Sequence, residues 1–157
     1  MNPLKILNEK EKNAVENKLH DQFGISEISE KIIMRGKEKM FLFSGSFNKS
    51  QIKKLERITL IERIGFYFAK IDERTKDIRL SIEGSQIMKS KITKNVFEIN
   101  EDQTNEWMMG RELRIRTGKR GFLVLKHKND FLGTGKASEE KIGNFIPKSR
   151  RLKERLT

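Results

Sequence analysis

Two apolar runs in the last third of the chain do most to constrain its fold. Gly121-Phe122-Leu123-Val124-Leu125 reads as a buried strand, and Phe131-Leu132-Gly133-Thr134-Gly135-Lys136 follows within six residues. The strands 122–126 and 131–137 therefore face each other as a hairpin-like pair across Asn129-Asp130. Glycines inside a closely packed strand let another backbone, or an RNA strand, approach. Lys and Arg ring this segment, and almost no catalytic side chain lies near it in the sequence. Such a stretch points to a module that grips a polyanion, not to a pocket that transforms a metabolite.

Charge supports that reading. Lys plus Arg number 34 against 22 acids, a formal net charge of +12, which favours nucleic acid or another anionic surface. The excess is uneven. Residues 1–90 hold 18 bases and 13 acids, net +5, whereas residues 118–157 hold 11 bases and 4 acids, net +7, in fewer than half as many positions. The chain has no cysteine, so disulfides, thiolate metal ligands and thiol nucleophiles are excluded. No run approaches the roughly 18 apolar residues of a membrane span, and Met1-Asn2-Pro3-Leu4-Lys5 lacks the apolar stretch of a signal peptide. A soluble, cytoplasmic protein without a membrane partner is expected.

Along the chain, Asn8 and Glu11 form a capping-box pattern, and Ala14, Val15, Lys18 and Leu19 recur at helical spacing, predicting a helix over 9–21 stopped by Gly24. Residues 40–43 read as a strand and 49–57 as a second helix with Ile52 and Leu55 inward. Leu60-Ile61 and 64–69 are strand-like, Asp72 to Asp77 reads as a turn, and 78–82 alternates as a half-buried strand does. A short helix is predicted over 85–88, with Lys89-Ser90-Lys91 as the domain junction. Beyond it, 96–99 is a strand, Asn100 caps a short helix with Gln103 at the third position, and Gly110 supplies its left-handed stop. Leu113 and Ile115 belong to a further strand, Lys119-Arg120-Gly121 to a turn, and 142–146 to a last strand before a basic helix or frayed tail over 149–156.

Sites of covalent chemistry are harder to find. Gly133-Thr134-Gly135-Lys136 resembles part of a phosphate loop, but Asp130 stands where the first glycine belongs and Ala137 where Ser or Thr must hold magnesium. A dinucleotide loop fails likewise, with Ser138 in place of the third glycine. His20 and His127 are the only histidines and form no metal-ligand spacing. Asp72-Glu73 and Glu139-Glu140 lie in turns and read as solvated faces. No catalytic residue, cofactor or metal is predicted. The candidates are cations for RNA phosphate: Arg111, Arg114, Arg116, Lys119, Arg120, Lys126, Lys128, Lys136, Lys148, Arg150 and Arg151. Trp107 and Phe145 are the aromatics that could stack on bases, although Trp107 beside Met108 reads more readily as core.

The order strand, short helix ending at Gly110, strand, Gly121-Phe122-Leu123-Val124, then Asn129-Asp130-Phe131-Leu132-Gly133-Thr134-Gly135 resembles a PUA domain, a small RNA-binding pseudo-barrel. Nearly the whole chain also resembles the Nip-seven family of ribosome-biogenesis factors, from Pro3-Leu4-Lys5-Ile6 through Ile52 to Met88 and the Leu-Gly-x-Gly segment. Only Gly110, Gly133 and Gly135 carry over by motif; Met109 replaces that family's usual tyrosine, and Lys148-Ser149-Arg150-Arg151 its acidic end. The ending Ile146-Pro147-Lys148-Ser149-Arg150-Arg151 is also similar to PUA-like tails of archaeal RNA cytosine methyltransferases.

The resemblance implies an α+β protein: an N-terminal α/β pre-PUA domain over 1–90, packed on a C-terminal PUA-type β pseudo-barrel with a basic tail over 91–157. It implies a non-enzymatic protein that contacts structured rRNA or tRNA and assists rRNA processing and large-subunit assembly. Ribosome-assembly factors are then the expected partners. The alternative is an adaptor that docks an RNA-modifying enzyme, such as an RNA cytosine methyltransferase, onto its RNA.

Overall fold

The computed structural model describes residues 3–59, 61 and 64–154. Its N-terminal part is a five-stranded antiparallel sheet whose strands lie in chain order: β1 (Leu4–Ile6), β2 (Lys31–Arg35), β3 (Lys39–Phe43), β4 (Phe66–Ile71) and β5 (Ile78–Leu80). Helix α1 (Glu9–Phe23) follows β1, α2 (Lys49–Ile58) joins β3 to β4, and α3 (Ile82–Ile87) follows β5. The C-terminal part is a four-stranded sheet, β6 (Val96–Glu98), β7 (Gly121–His127), β8 (Asp130–Ala137) and β9 (Ile142–Gly143). Its β6 and β7 are parallel, so their connection has to cross over, and it does so through α4 (Glu101–Met108). The α+β class expected from the sequence is the class observed.

Local chemistry explains the helices. Asn8, Asn48 and Asn100 each accept from the third backbone amide of their helix, and Glu11, Gln51 and Gln103 reach back to the cap amide. Helix α1 runs two residues past its expected end because Phe23 is fully buried, before Gly24 turns left-handed at φ 75°. Each face of the first sheet has its own cover. Val15, Leu19 and Phe23 of α1 pack with Met40, Leu42 and Phe68, whereas Ile52 of α2 packs with Leu4, Ile33 and Phe41 on the other face. The larger cluster continues into Phe122, Val124 and Phe131, so the two sheets meet in a shared core. A second core inside the C-terminal part gathers around the fully buried Trp107, whose Nε1 donates to the Leu132 carbonyl at 2.9 Å.

Several elements depart from the sequence expectations. Strands β1 and β2 were not anticipated. Residues 113–115 form a single bridge: Leu113 exchanges both backbone bonds with Ile142, and Ile115 N–H then donates to the Leu113 carbonyl, bending the chain away. The last strand stops at Gly143 because the Asn144 side chain donates to the Trp107 and Arg111 carbonyls and accepts from Ile146 N–H. Ile82 opens α3 instead of ending β5, since the Ser81 hydroxyl accepts from Gly84 N–H as an N-cap. Strand β4 begins at Phe66, after Gly65 at φ 70°. The β7–β8 hairpin turns on Lys128-Asn129, one residue earlier than expected, with His127 paired to Asp130 and Lys128 at φ 54°. The bend before β7 falls at Gly118. Residues 148–150 make one 3₁₀ turn where a helix or frayed tail was anticipated. Leu60, expected in a strand, lies outside the described residues, and Ile61 is in no strand.

Candidate nucleic-acid interface

Strand β8 is held from both sides, which decides what its glycines do. Toward the N-terminal part, the Thr134 hydroxyl accepts from Leu80 N–H at 2.9 Å, Gly133 N–H donates to the Ser85 hydroxyl at 2.9 Å, and Phe131 N–H donates to Gln86 Oε1 at 2.7 Å. Toward the C-terminal core, a Cβ on Gly135 would sit 2.6 Å from Trp107 and 2.5 Å from Ile142. Gly133, Thr134 and Gly135 are all buried. The close approach expected at these glycines is therefore made by β5, α3 and Trp107.

The predicted cations of the C-terminal part differ in what meets each of them. Arg114, Arg116 and Arg120 come together at the loop before β7, where acids meet them: Arg114 and Lys141 share Glu112, Arg116 pairs with Glu140 at 3.0 Å, and Arg120 with Glu139 at 3.9 Å. These pairs are exposed, with Arg116 and Glu140 at 75% and 65% side-chain accessibility, so each is worth little and yields readily to a phosphate. Arg111 pairs with Glu106 and Arg150 with Glu83. Arg151 serves the fold: its Nε donates to the Ile146 carbonyl at 2.8 Å and its side chain lies against Gly110, left-handed as expected. Lys119, Lys128, Lys136 and Lys148 are exposed, and none of them has an ion pair among the described residues. Lys126 is half-buried, its Nζ 5.7 Å from the Phe131 ring centre.

A cleft of about 680 Å³ opens between the two sheets. One wall carries Lys39, Tyr67, Lys70 and Arg79; the other carries Phe145 and Arg150. Strand register produces the first wall. Lys39 is directly opposite Lys70, and Lys70 directly opposite Arg79; paired residues of an antiparallel sheet project to the same face. Met40, Ala69 and Leu80, one step along, face the core. The Arg79 guanidinium lies 4.1 Å from the Phe145 ring centre, and Phe145 meets Phe122 edge-on at 5.9 Å. Lys136 is opposite Phe122 in the β7–β8 register and so points to this same side.

Electrostatics follow the same pattern. The Lys70 ammonium, 3.0 Å from Glu38, holds that carboxyl below its ordinary range, and burial pushes the Tyr67 phenol up. Asp72 is held low, first by the backbone bond from Thr75, with a smaller contribution from the charge of Lys136. The His127 Nδ1 is 2.9 Å from the Ile99 carbonyl oxygen, which ties that ring to the backbone.

The order of elements from β6 through the 3₁₀ turn, with α4 packed under the sheet by Trp107, is the part of the molecule that known families recognise. The family model described as the methyltransferase RsmF PUA domain matches residues 94–152. Residues 94–152 form a PUA-like domain. No curated protein matches the chain. The PUA domain is an RNA-binding module. Among the described residues no helix is long and apolar enough to cross a membrane.

Lys39, Lys70 and Arg79 lie outside the PUA-like domain and were missed as site residues. The alternation Ile78-Arg79-Leu80 was the one visible signal. Their alignment depends on pairing between distant strands, which no local pattern reports.

Proposed function

We propose that this protein is a non-enzymatic RNA-binding factor that holds structured rRNA or tRNA through its PUA-like domain. The PUA-like domain at 94–152 carries the proposal, and the charge excess of the C-terminal segment and the exposed, unpaired lysines around the domain support it. On this reading the protein works in rRNA processing and large-subunit assembly, and its chemistry is confined to phosphate recognition. Neighbouring cations do the gripping while β8 supplies the frame.

The test is binding of the intact protein to rRNA fragments and tRNA transcripts over a range of salt. Lys119→Ala, Lys128→Ala and Lys148→Ala, made singly, should weaken binding, and a variant that gives up one phosphate on a duplex should show a salt slope smaller by about 0.9. Unchanged affinity and slope in all three variants would remove these lysines from the interface.

The description of the matching family favours a second reading, in which the protein positions an RNA-modifying enzyme, such as an RNA cytosine methyltransferase, on its substrate. Methylation of the bound RNA by such an enzyme should then accelerate when this protein is added. No acceleration, with RNA binding intact, would leave the assembly reading alone.

A further inference from the structure

We propose that the cleft between the N-terminal sheet and the PUA-like domain seats an unpaired RNA segment, its phosphates on Lys39, Lys70 and Arg79 and a base against the Arg79–Phe145 stack. The inference rests on the RNA-binding reading above and extends it to residues outside the PUA-like domain.

The sheet itself gives the first argument. Like charges directly opposite one another on adjacent strands repel, yet Lys39, Lys70 and Arg79 occupy consecutive register positions on three neighbouring strands. Only Lys70 has an acid within ion-pair distance among the described residues, Glu38 at 3.0 Å. Strand spacing of about 4.8 Å places the row over roughly 10 Å. Lys136, on the PUA-like domain and on the same side, extends the positive charge across the junction. A row of cations maintained against its own repulsion suits a polyanion that neutralises several of them together.

The opposite wall supplies a flat surface. Phe145 is fixed by its edge-on contact with Phe122, and Arg79 lies over it at 4.1 Å. This contact holds a half-buried guanidinium beside the cleft. Aromatic rings and Arg planes are the platforms on which unpaired bases stack. The acid in this wall, Glu83, is paired with Arg150 and so opposes an incoming phosphate only weakly.

Dimensions select the strand state. A volume of about 680 Å³ falls in the range of ligand clefts and suits about one or two nucleotides of a single strand, far less than a duplex segment occupies. The PUA-like domain then holds the structured part of the RNA while the cleft takes an adjoining unpaired end or bulge.

The test uses the intact protein and two fluorescent RNAs, a blunt hairpin and the same hairpin with a single-stranded oligouridine tail, followed by anisotropy at several salt concentrations. The native protein should bind the tailed RNA at least several-fold more tightly. Lys39→Gln, at an exposed position, should remove part of that advantage and reduce the tailed-RNA salt slope by about 0.7, the single-strand value per phosphate. Arg79→Lys keeps the charge and should lower tailed-RNA affinity several-fold with the slope unchanged. Neither variant should alter blunt-hairpin binding. Equal binding of the two RNAs by the native protein, or no effect of either variant on the tailed RNA, would overturn the cleft assignment and leave the PUA-based reading standing. Equal weakening on both RNAs would overturn its single-strand character. Failure of the native protein to bind either RNA would overturn the RNA-binding reading itself.

Discussion

Thr134→Val probes the joint on which the interface depends. Thr134 is 4% exposed, and its hydroxyl accepts from the backbone N–H of Leu80, itself 3% exposed, at 2.9 Å. Valine matches threonine in shape, so the substitution leaves packing nearly unchanged and strands one buried donor. An unsatisfied buried donor costs about 1–3 kcal/mol. For a chain of this size each kcal/mol moves Tm by roughly 2–4 °C, giving a fall of about 2–12 °C. Thr134→Ser restores the acceptor and should recover most of the stability, apart from the cost of a missing methyl. Urea denaturation followed by circular dichroism and by Trp107 fluorescence measures the cost and tests whether the two parts unfold together. Their shared core predicts coincident transitions, both shifted to lower urea in Thr134→Val. A Thr134→Val midpoint equal to the native one would refute the claim that this bond fastens β8 to the first sheet. Separated transitions would refute the shared core.

Other outcomes follow from the same geometry. Gly135→Ala places a Cβ at 2.5–2.9 Å from Ile142, Trp107 and Gly143 and should destabilise by about 1–3 kcal/mol or more through overpacking, with a change in Trp107 fluorescence; a native-like melt would mean the core has more room than the geometry allows. Asp72 accepts backbone bonds from Thr75 and Arg74 and has its pKa lowered from 3.8, so its stabilising effect is complete above that value and is lost as pH falls through the lower folded pKa. Side-chain carboxyl NMR should place its midpoint below 3.8, and Asp72→Asn should weaken the pH dependence of stability in that acid window; a midpoint at or above 3.8 would contradict the turn geometry.

What was legible in the sequence was what is local. Asn8 with Glu11 and Asn100 with Gln103 announce helix starts because a cap is settled within four residues, and both boxes form. The β7–β8 pair was visible because its apolar runs are long and close together. Strands β1 and β2 were not, being short and stabilised by partners far along the chain: Leu4 pairs with Arg35, and Ile32 with Leu42. The cationic site divided the same way. Arg150 and Phe145 were noticed because they lie in a basic, glycine-rich stretch, whereas Lys39, Lys70 and Arg79 are scattered in sequence and align only once β3, β4 and β5 are paired. Arg151 matched the electrostatic pattern but acts as a structural strut on Ile146 and Gly110, a role fixed by tertiary packing alone. Charge patterning also overstated the free cations at 111–120, since Glu112 of the same segment and Glu139 and Glu140 from the segment after β8 meet them.

The most direct test of the central claim, that RNA lies along the PUA-like domain and into the cleft, is photocrosslinking of the intact protein to a tailed RNA hairpin with mass-spectrometric mapping of the modified peptides. The account predicts adducts on the peptides carrying Tyr67, Lys136 and Phe145. Adducts confined to α1, which covers the face of the first sheet opposite the one that carries Lys39, Tyr67 and Lys70, would contradict it.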